Sequence, residues 1–194
     1  MCHDKKIPIK ERILDTALEL FLKQGYNETS VSQILKEASA SRSAFYHYYH
    51  SKEELLFSMA YTYDDAYVEW FRKMPSDIHT VEKLKSYHTF VMERLDSSPH
   101  RPLFEALYSH QVATPDVRHI INPGRKYFQI MNLILKEGMV KKEIQSSSSC
   151  RELCDMITLY QIGFTYSWLL KKCSFPLVSY SQKVLYPFLD SLRV

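Results

Sequence analysis

Glycine is scarce in this sequence. Only four occur in 194 residues, too few for the Gly-rich loops that cradle phosphates or for the dense turns of an all-β fold. Cysteine is equally sparse. Cys2, Cys150, Cys154 and Cys173 form no C-x-x-C pair and show no zinc-site spacing. Long hydrophobic runs are missing too. The longest uncharged apolar stretch, Met156 to Leu170, has 15 residues and includes Thr158, Gln161 and Ser167, whereas a spanning helix needs roughly 20 apolar residues. Lys5, Lys6, Lys10, Glu11 and Arg12 leave no apolar run for a signal peptide at the start. These absences predict a soluble, cytoplasmic protein with free thiols and no membrane partner. Charge of one sign is not in excess either. The chain carries a net +3, and residues 1–56 hold eight basic and eight acidic side chains. Any contact with a polyanion must therefore rest on local placement of charge. Enzyme signatures are lacking as well: no nucleophile elbow, no H-E-x-x-H, no phosphate loop and no spaced carboxylate motif. We expect no catalytic residue, no cofactor and no metal centre.

What is present is helical periodicity and aromatic side chains, which reach 13% with 14 tyrosines. Ile9, Ile13, Ala17, Leu20 and Phe21 recur at helical spacing, so a first helix runs to about Gln24, where Gly25 suits a C-terminal stop. Ser30 and Gln33 have the spacing of a capping box, and Val31, Ile34, Leu35 and Ala38 give a short second helix its inner face. Ser41 is positioned to cap a third helix, with Phe45 and Tyr49 pointing inward. Ser51 to Glu54 is a further capping box that launches a long fourth helix through Leu55, Met59, Tyr63 and Trp70 up to Pro75. Ser76 or Asp77 should cap a fifth helix to about Leu95, and a short one spans Leu103 to His110. Thr114-Pro115 and Asn122-Pro123 read as possible helix starts, with Gly138 ending the helix after Pro123. Ser149 to Glu152 opens an eighth helix to about Lys172, and Phe175-Pro176 precedes the last. The fold class is all-α with about nine helices.

Residues 9–56 carry the functional signal. Three short helices precede the start of a long one, and the second and third are joined by a tight turn at Ala38, Ser39 and Ala40, as a helix-turn-helix requires. The outer face of the third helix is small and rich in hydrogen-bonding groups: Ser43 and His47, flanked by Ala44 and Tyr46, with Arg42 at its start. Such a face can approach base edges in a major groove. From Ala38 to Lys52 there are two basic residues, two histidines and no acid, so the local field suits DNA. Helix starts at Ser30 and Ser41 add amides for phosphates. The stretch ILDTALELFLKQGYNETSVSQILKEASASRSAFYHYYHSKEELL resembles the N-terminal domain of the TetR/AcrR family, without a gap over residues 9–56. The resemblance implies a helix-turn-helix domain over 1–52 and a ligand-binding and dimerisation domain over 53–194. It also implies a ligand-responsive transcription regulator, by family habit a repressor, that binds a palindromic operator in double-stranded DNA as a homodimer. The turn departs from the family pattern, which has Gly then Val where Ser39 and Ala40 stand. By position, the DNA contacts are Ser30, Arg42, Ser43, Ala44, Tyr46, His47, Tyr48 and Lys52. Arg42 is the candidate for a guanine edge, Ala44 for a thymine methyl, and Ser30, Tyr46, Tyr48 and Lys52 for phosphates.

Residues 57–194 hold twenty of the 26 aromatics and match no pattern beyond the family expectation of a cavity among helices. Tyr108, His110, Met131, Tyr160, Phe164 and Trp168 are the candidate effector-binding residues, and the aromatic bias suggests an apolar or aromatic effector. For any single aromatic among them, a place in a plain helical core is the favoured reading. Leu153, Met156, Ile157, Tyr160, Phe164 and Trp168, then Leu177, Val184, Leu185, Phe188 and Leu192, form apolar stripes on the last two helices, which in the family pair with their copies. One alternative is a thiol- or metal-responsive regulator using Cys150 and Cys154, four apart on one helix face. His47 and His50 could bind metal from one face but fall at the end of the groove-facing helix. A third possibility is a DNA-free interaction protein that kept the fold.

Overall fold

The computed structural model describes residues 7–113 and 118–194, and Cys2 and the Thr114-Pro115 step lie outside them. Among the described residues the secondary structure is helical, apart from an isolated antiparallel bridge between Ile144 and Arg193. The α-helices are α1 (Ile9–Gln24), α2 (Val31–Glu37), α3 (Arg42–Tyr48), α4 (Lys52–Ser58), α5 (Asp64–Arg72), α6 (Thr80–Asp96), α7 (Phe104–Ala113), α8 (Lys126–Val140), α9 (Cys150–Leu170) and α10 (Leu177–Ser191). The long fourth helix expected from sequence is interrupted. A 3-10 segment, Met59–Tyr63, separates α4 from α5, and the Thr62 hydroxyl donates back to the Met59 carbonyl at 2.7 Å, a local bond that competes with regular α geometry. Counting α4 and α5 as one gives nine α-helices among the described residues.

Packing divides the chain into two compact units. The first comprises Met1–Thr62 and Pro102–Ile120, the second Tyr63–Arg101 and Ile121–Val194. In the first unit α1 packs on α2, α3 and α4, and α7 packs on α4. Ile13, Ala17, Phe21, Ile34, Phe45, Leu55 and Met59 form its sealed centre. Each short helix begins on its own serine. Ser30 and Gln33 make a complete capping box, Ser41 accepts from the Ala44 amide, and Ser51 accepts from the Glu54 amide. The Glu54 carboxylate reaches past its cap to the His50 amide at 2.6 Å. A side-chain cap contributes about 1 kcal/mol, which matters for helices of two turns that propensity alone does not hold.

In the second unit α8 packs on α5, α6 and α9, while α10 packs on α6 and α9. Its centre is an interlocked aromatic cluster: Tyr67 and Trp70 from α5, Tyr87 and Phe90 from α6, and Tyr127 from α8, with Tyr87 and Tyr127 stacked at 5.8 Å. Two helix starts here draw on distant partners, so two expectations fail, and a third fails because helices cross closely. Neither Ser76 nor Asp77 caps α6. The N-cap is His79, and the Thr80 amide and hydroxyl both donate to the Glu143 carboxylate at 2.7 and 2.6 Å. Asn122-Pro123 opens no helix. The Asn122 side chain accepts from the Gly124 amide and closes a turn, and α8 starts later, with its Lys126 amide on Asp64 of α5. Gly138 does not end α8, which continues to Val140. It is glycine because α6 crosses there: a Cβ would meet Thr80 Cγ2 at 2.6 Å and Ile144 Cδ1 at 2.7 Å.

Candidate nucleic-acid interface

The helix-turn-helix is α2, its connection and α3. The connection turns at Ser39, whose φ of 48° is the left-handed conformation that glycine adopts without cost. Arg12 from α1 donates through Nε to the Ala38 carbonyl at 2.8 Å and fastens the turn. Ser41 caps α3 and also shares a hydrogen bond with the Ser43 hydroxyl at 3.0 Å. Phe45 and Tyr49 anchor the inner face, and both are buried. The Tyr49 hydroxyl donates to the Lys10 carbonyl at 3.1 Å. Burial, with Glu54, Asp15 and Glu11 nearby, pushes its pKa up to about 12, so it stays a donor.

With the inner face fixed, α3 presents Arg42, Ser43, Tyr46 and His47 to solvent, with Ala44 and Tyr48 partly covered. Tyr46 packs edge-on against Phe45 at 5.2 Å and His47 against Tyr48 at 4.6 Å, which restrains rings that would otherwise sample several rotamers. Six of the eight residues chosen from sequence thus lie on this one helix. The other two have local tasks. The Ser30 hydroxyl accepts from the Gln33 amide and donates to its side-chain oxygen. Lys52 places its ammonium over the Tyr26 ring at 4.3 Å and donates to the Tyr26 and Thr29 carbonyls, each at 2.9 Å. It fastens the α1–α2 turn and has one proton left for anything else.

The six candidate effector residues do not converge. Tyr108 and His110 lie on α7 in the first unit, where His110 meets the Tyr26 ring edge-on at 4.8 Å. Met131 is buried and receives the Cys154 thiol at 3.6 Å. Trp168 is buried and donates to the Phe175 carbonyl at 3.1 Å. Tyr160 and Phe164 belong to a surface aromatic row on α9 that also touches Phe188 and Tyr180 of α10. The apolar stripes of α9 and α10 divide in the same way. Leu153, Ile157, Leu177, Leu185 and Leu192 are this unit's own core, whereas Met156, Tyr160 and Val184 are exposed.

Sequence reading missed two features of the second unit. An open groove of about 790 Å³ runs between α8 and the start of α9, and none of the six candidates lines it. A buried polar chain also crosses the core. His88 Nε2 meets the Ser181 hydroxyl at 2.9 Å, and its Nδ1 meets the Gln161 side-chain nitrogen at 3.0 Å. Burial pulls the His88 pKa down to about 4. The only sequence hint of the groove was the Cys150/Cys154 spacing. Both thiols are raised by burial, Cys154 to about 11, which opposes the thiolate that redox or metal chemistry needs. Among the described residues no cluster of three His, Cys, Asp or Glu is placed to hold a metal ion.

Comparison with known proteins agrees with this architecture. The profile of "Bacterial regulatory proteins, tetR family" matches residues 13–59. The chain is 54% identical over 56 residues to the HTH-type transcriptional regulator YuxN of Bacillus subtilis, a match covering 28% of this chain and 19% of that regulator. It is 25% identical over 185 residues to the fatty acid metabolism regulator protein of the same organism, covering 93% of this chain and 94% of that one. The Thermus thermophilus FadR structure, a TetR-family repressor in complex with lauroyl-CoA, superposes with a TM-score of 0.78 at 21% identity over 95% of both chains. No helix of the described residues is long and apolar enough to cross a membrane. Residues 13–59 thus carry a helix-turn-helix that matches the tetR family of bacterial regulatory proteins, and over its whole length the chain is similar to a transcriptional regulator and shares the fold of a TetR-family repressor.

Proposed function

We propose that the protein is a ligand-released repressor that binds a palindromic operator as a homodimer through the outer face of α3. The observation that carries this reading is that face: Arg42, Ser43, Tyr46 and His47 stand exposed on a helix locked from behind by Phe45 and Tyr49. Arg42 offers a bidentate donor to a guanine edge, Ala44 a methyl contact to thymine, and Tyr46 and Tyr48 hydroxyls for phosphates. Ser30 and Lys52 act mainly by holding this platform. A single short helix reads few base pairs, so specificity calls for two copies about 34–36 Å apart. The exposed apolar side chains of α9 and α10, among them Leu159, Tyr166, Leu170 and Tyr180, support pairing between two copies of this face.

The effector we propose is a long-chain acyl thioester. Support comes from the full-length relative named for fatty acid metabolism and from the lauroyl-CoA complex of the structural neighbour. Binding that favours a half-site spacing unsuited to DNA shifts the population off the operator. To test this, the purified protein is used to select genomic fragments, and the winner is footprinted with and without lauroyl-CoA. A protected palindrome that lauroyl-CoA clears is the expected result. Weak, sequence-blind, strongly salt-dependent binding overturns it.

A further inference from the structure

We propose that the groove between α8 and α9 is a binding site for an amphipathic anion, an apolar chain ending in a carboxylate or phosphate-bearing group. Three observations carry this. The groove offers about 790 Å³, within the range of small-molecule sites. One part of its lining is apolar: Phe128 is buried beneath it, while Leu133 and Ile121 are about half exposed, at 53% and 49%. The other part is cationic. Lys136 of α8 and Arg151 of α9 line the same groove, and neither is hydrogen-bonded or ion-paired to another described residue. Arg151 also sits in the first turn of α9, where the helix dipole favours negative charge.

Other cations of this unit are already engaged by acids. Lys83 and Lys141 share Glu137, Lys85 holds Asp190, and Arg125 holds Asp64. Two unspent cations beside uncovered leucine and isoleucine suit a ligand that is charged at one end and greasy along its length. Asp155 is the one acid in the lining among the described residues. It opposes the ligand charge and sets a limit on affinity.

The site rests on the acyl-effector reading only for its regulatory meaning, since binding can be measured without DNA. Calorimetry on the full chain would compare laurate, lauroyl-CoA, free coenzyme A and the uncharged dodecanol. Laurate and lauroyl-CoA should bind, dodecanol at least about tenfold more weakly. K136A/R151A should lose about tenfold or more for the anions and nothing for dodecanol, K136R/R151K should retain them, and D155N should gain a few-fold. As a readout that needs no variant, bound laurate should slow maleimide labelling of Cys150, which lines the groove, and leave Cys173 unchanged. Free coenzyme A separates the sources: tight binding of it assigns the cations to a phosphorylated head, and its failure beside tight laurate assigns them to a free carboxylate. Anion affinity within twofold in K136A/R151A, no binding by wild type, or Cys150 labelling unaffected by bound laurate overturns the site. If the anions bind through Lys136 and Arg151 but never release DNA, the site stands and the effector reading falls. If lauroyl-CoA releases DNA while affinity ignores both cations, the effector reading stands and the site falls.

Discussion

In the first unit, α2, α3 and α4 each start on a serine of their own, three residues before the amide it satisfies. In the second unit, α6 starts against Glu143, 63 residues away, and α8 against Asp64, 62 residues away. At these helix starts the first unit therefore relies on short-range chemistry and the second on long-range chemistry. α9, with its complete Ser149–Glu152 box, crosses that divide, and α6 adds a local bond from the Val81 amide to the His79 ring to its distant one. A recognition helix must keep one shape whatever the rest of the chain does. A sensor gains from helix ends tied to other helices, because a change at one element is then felt at another.

Four substitutions or conditions sharpen this contrast. The largest effect is expected for Asp64→Ala. It removes both the carboxylate partner of Arg125 and the acceptor of the Lys126 amide, in a pair whose side chains are only 13% and 9% exposed. A loss of about 3 kcal/mol in urea-derived stability is expected. Acid comes next. His88 has a pKa near 4 in the fold against its usual 6.5. Between these values the unfolded chain takes a proton that the native core refuses. Stability should thus be flat above pH 6.5 and fall by about 3 kcal/mol as pH drops toward 4, and His88→Asn should flatten that slope. Gly138→Ala forces a methyl into Thr80 and Ile144 and should cost about 2 kcal/mol in thermal unfolding. Smallest, and opposite in sign, is Ser39→Gly in the first unit. It relieves the left-handed φ of 48° and should raise stability by somewhat under about 1 kcal/mol.

The same contrast explains what could be read from the sequence. The capping residues at Ser30, Ser41, Ser51 and Ser149 were legible because both partners lie within four residues, and the inward Phe45 and Tyr49 because the helix period fixes their face. The starts of α6 and α8 were not legible, because no local pattern reveals a carboxylate more than sixty residues distant. Gly138 looked like a stop because glycine commonly ends helices, yet here the crossing of α6 demands it. The grouping of Tyr108 and His110 with the first unit was not legible either, because it follows from α7 turning Phe104 and Leu107 inward and packing on α4. The groove escaped notice because its lining comes from several short stretches whose spacing has no period.

Arg42 is the side chain through which base reading by the outer face of α3 can be probed with least ambiguity. Wild type and Arg42→Ala would be titrated against the footprinted fragment and against copies with each base pair exchanged in turn. Arg42→Ala should lose about 1–3 kcal/mol and become indifferent at one position of each half-site, leaving preference elsewhere intact. An Arg42→Ala protein that binds the fragment as tightly as wild type, with the same preference at every position, would mean that this face does not read the bases.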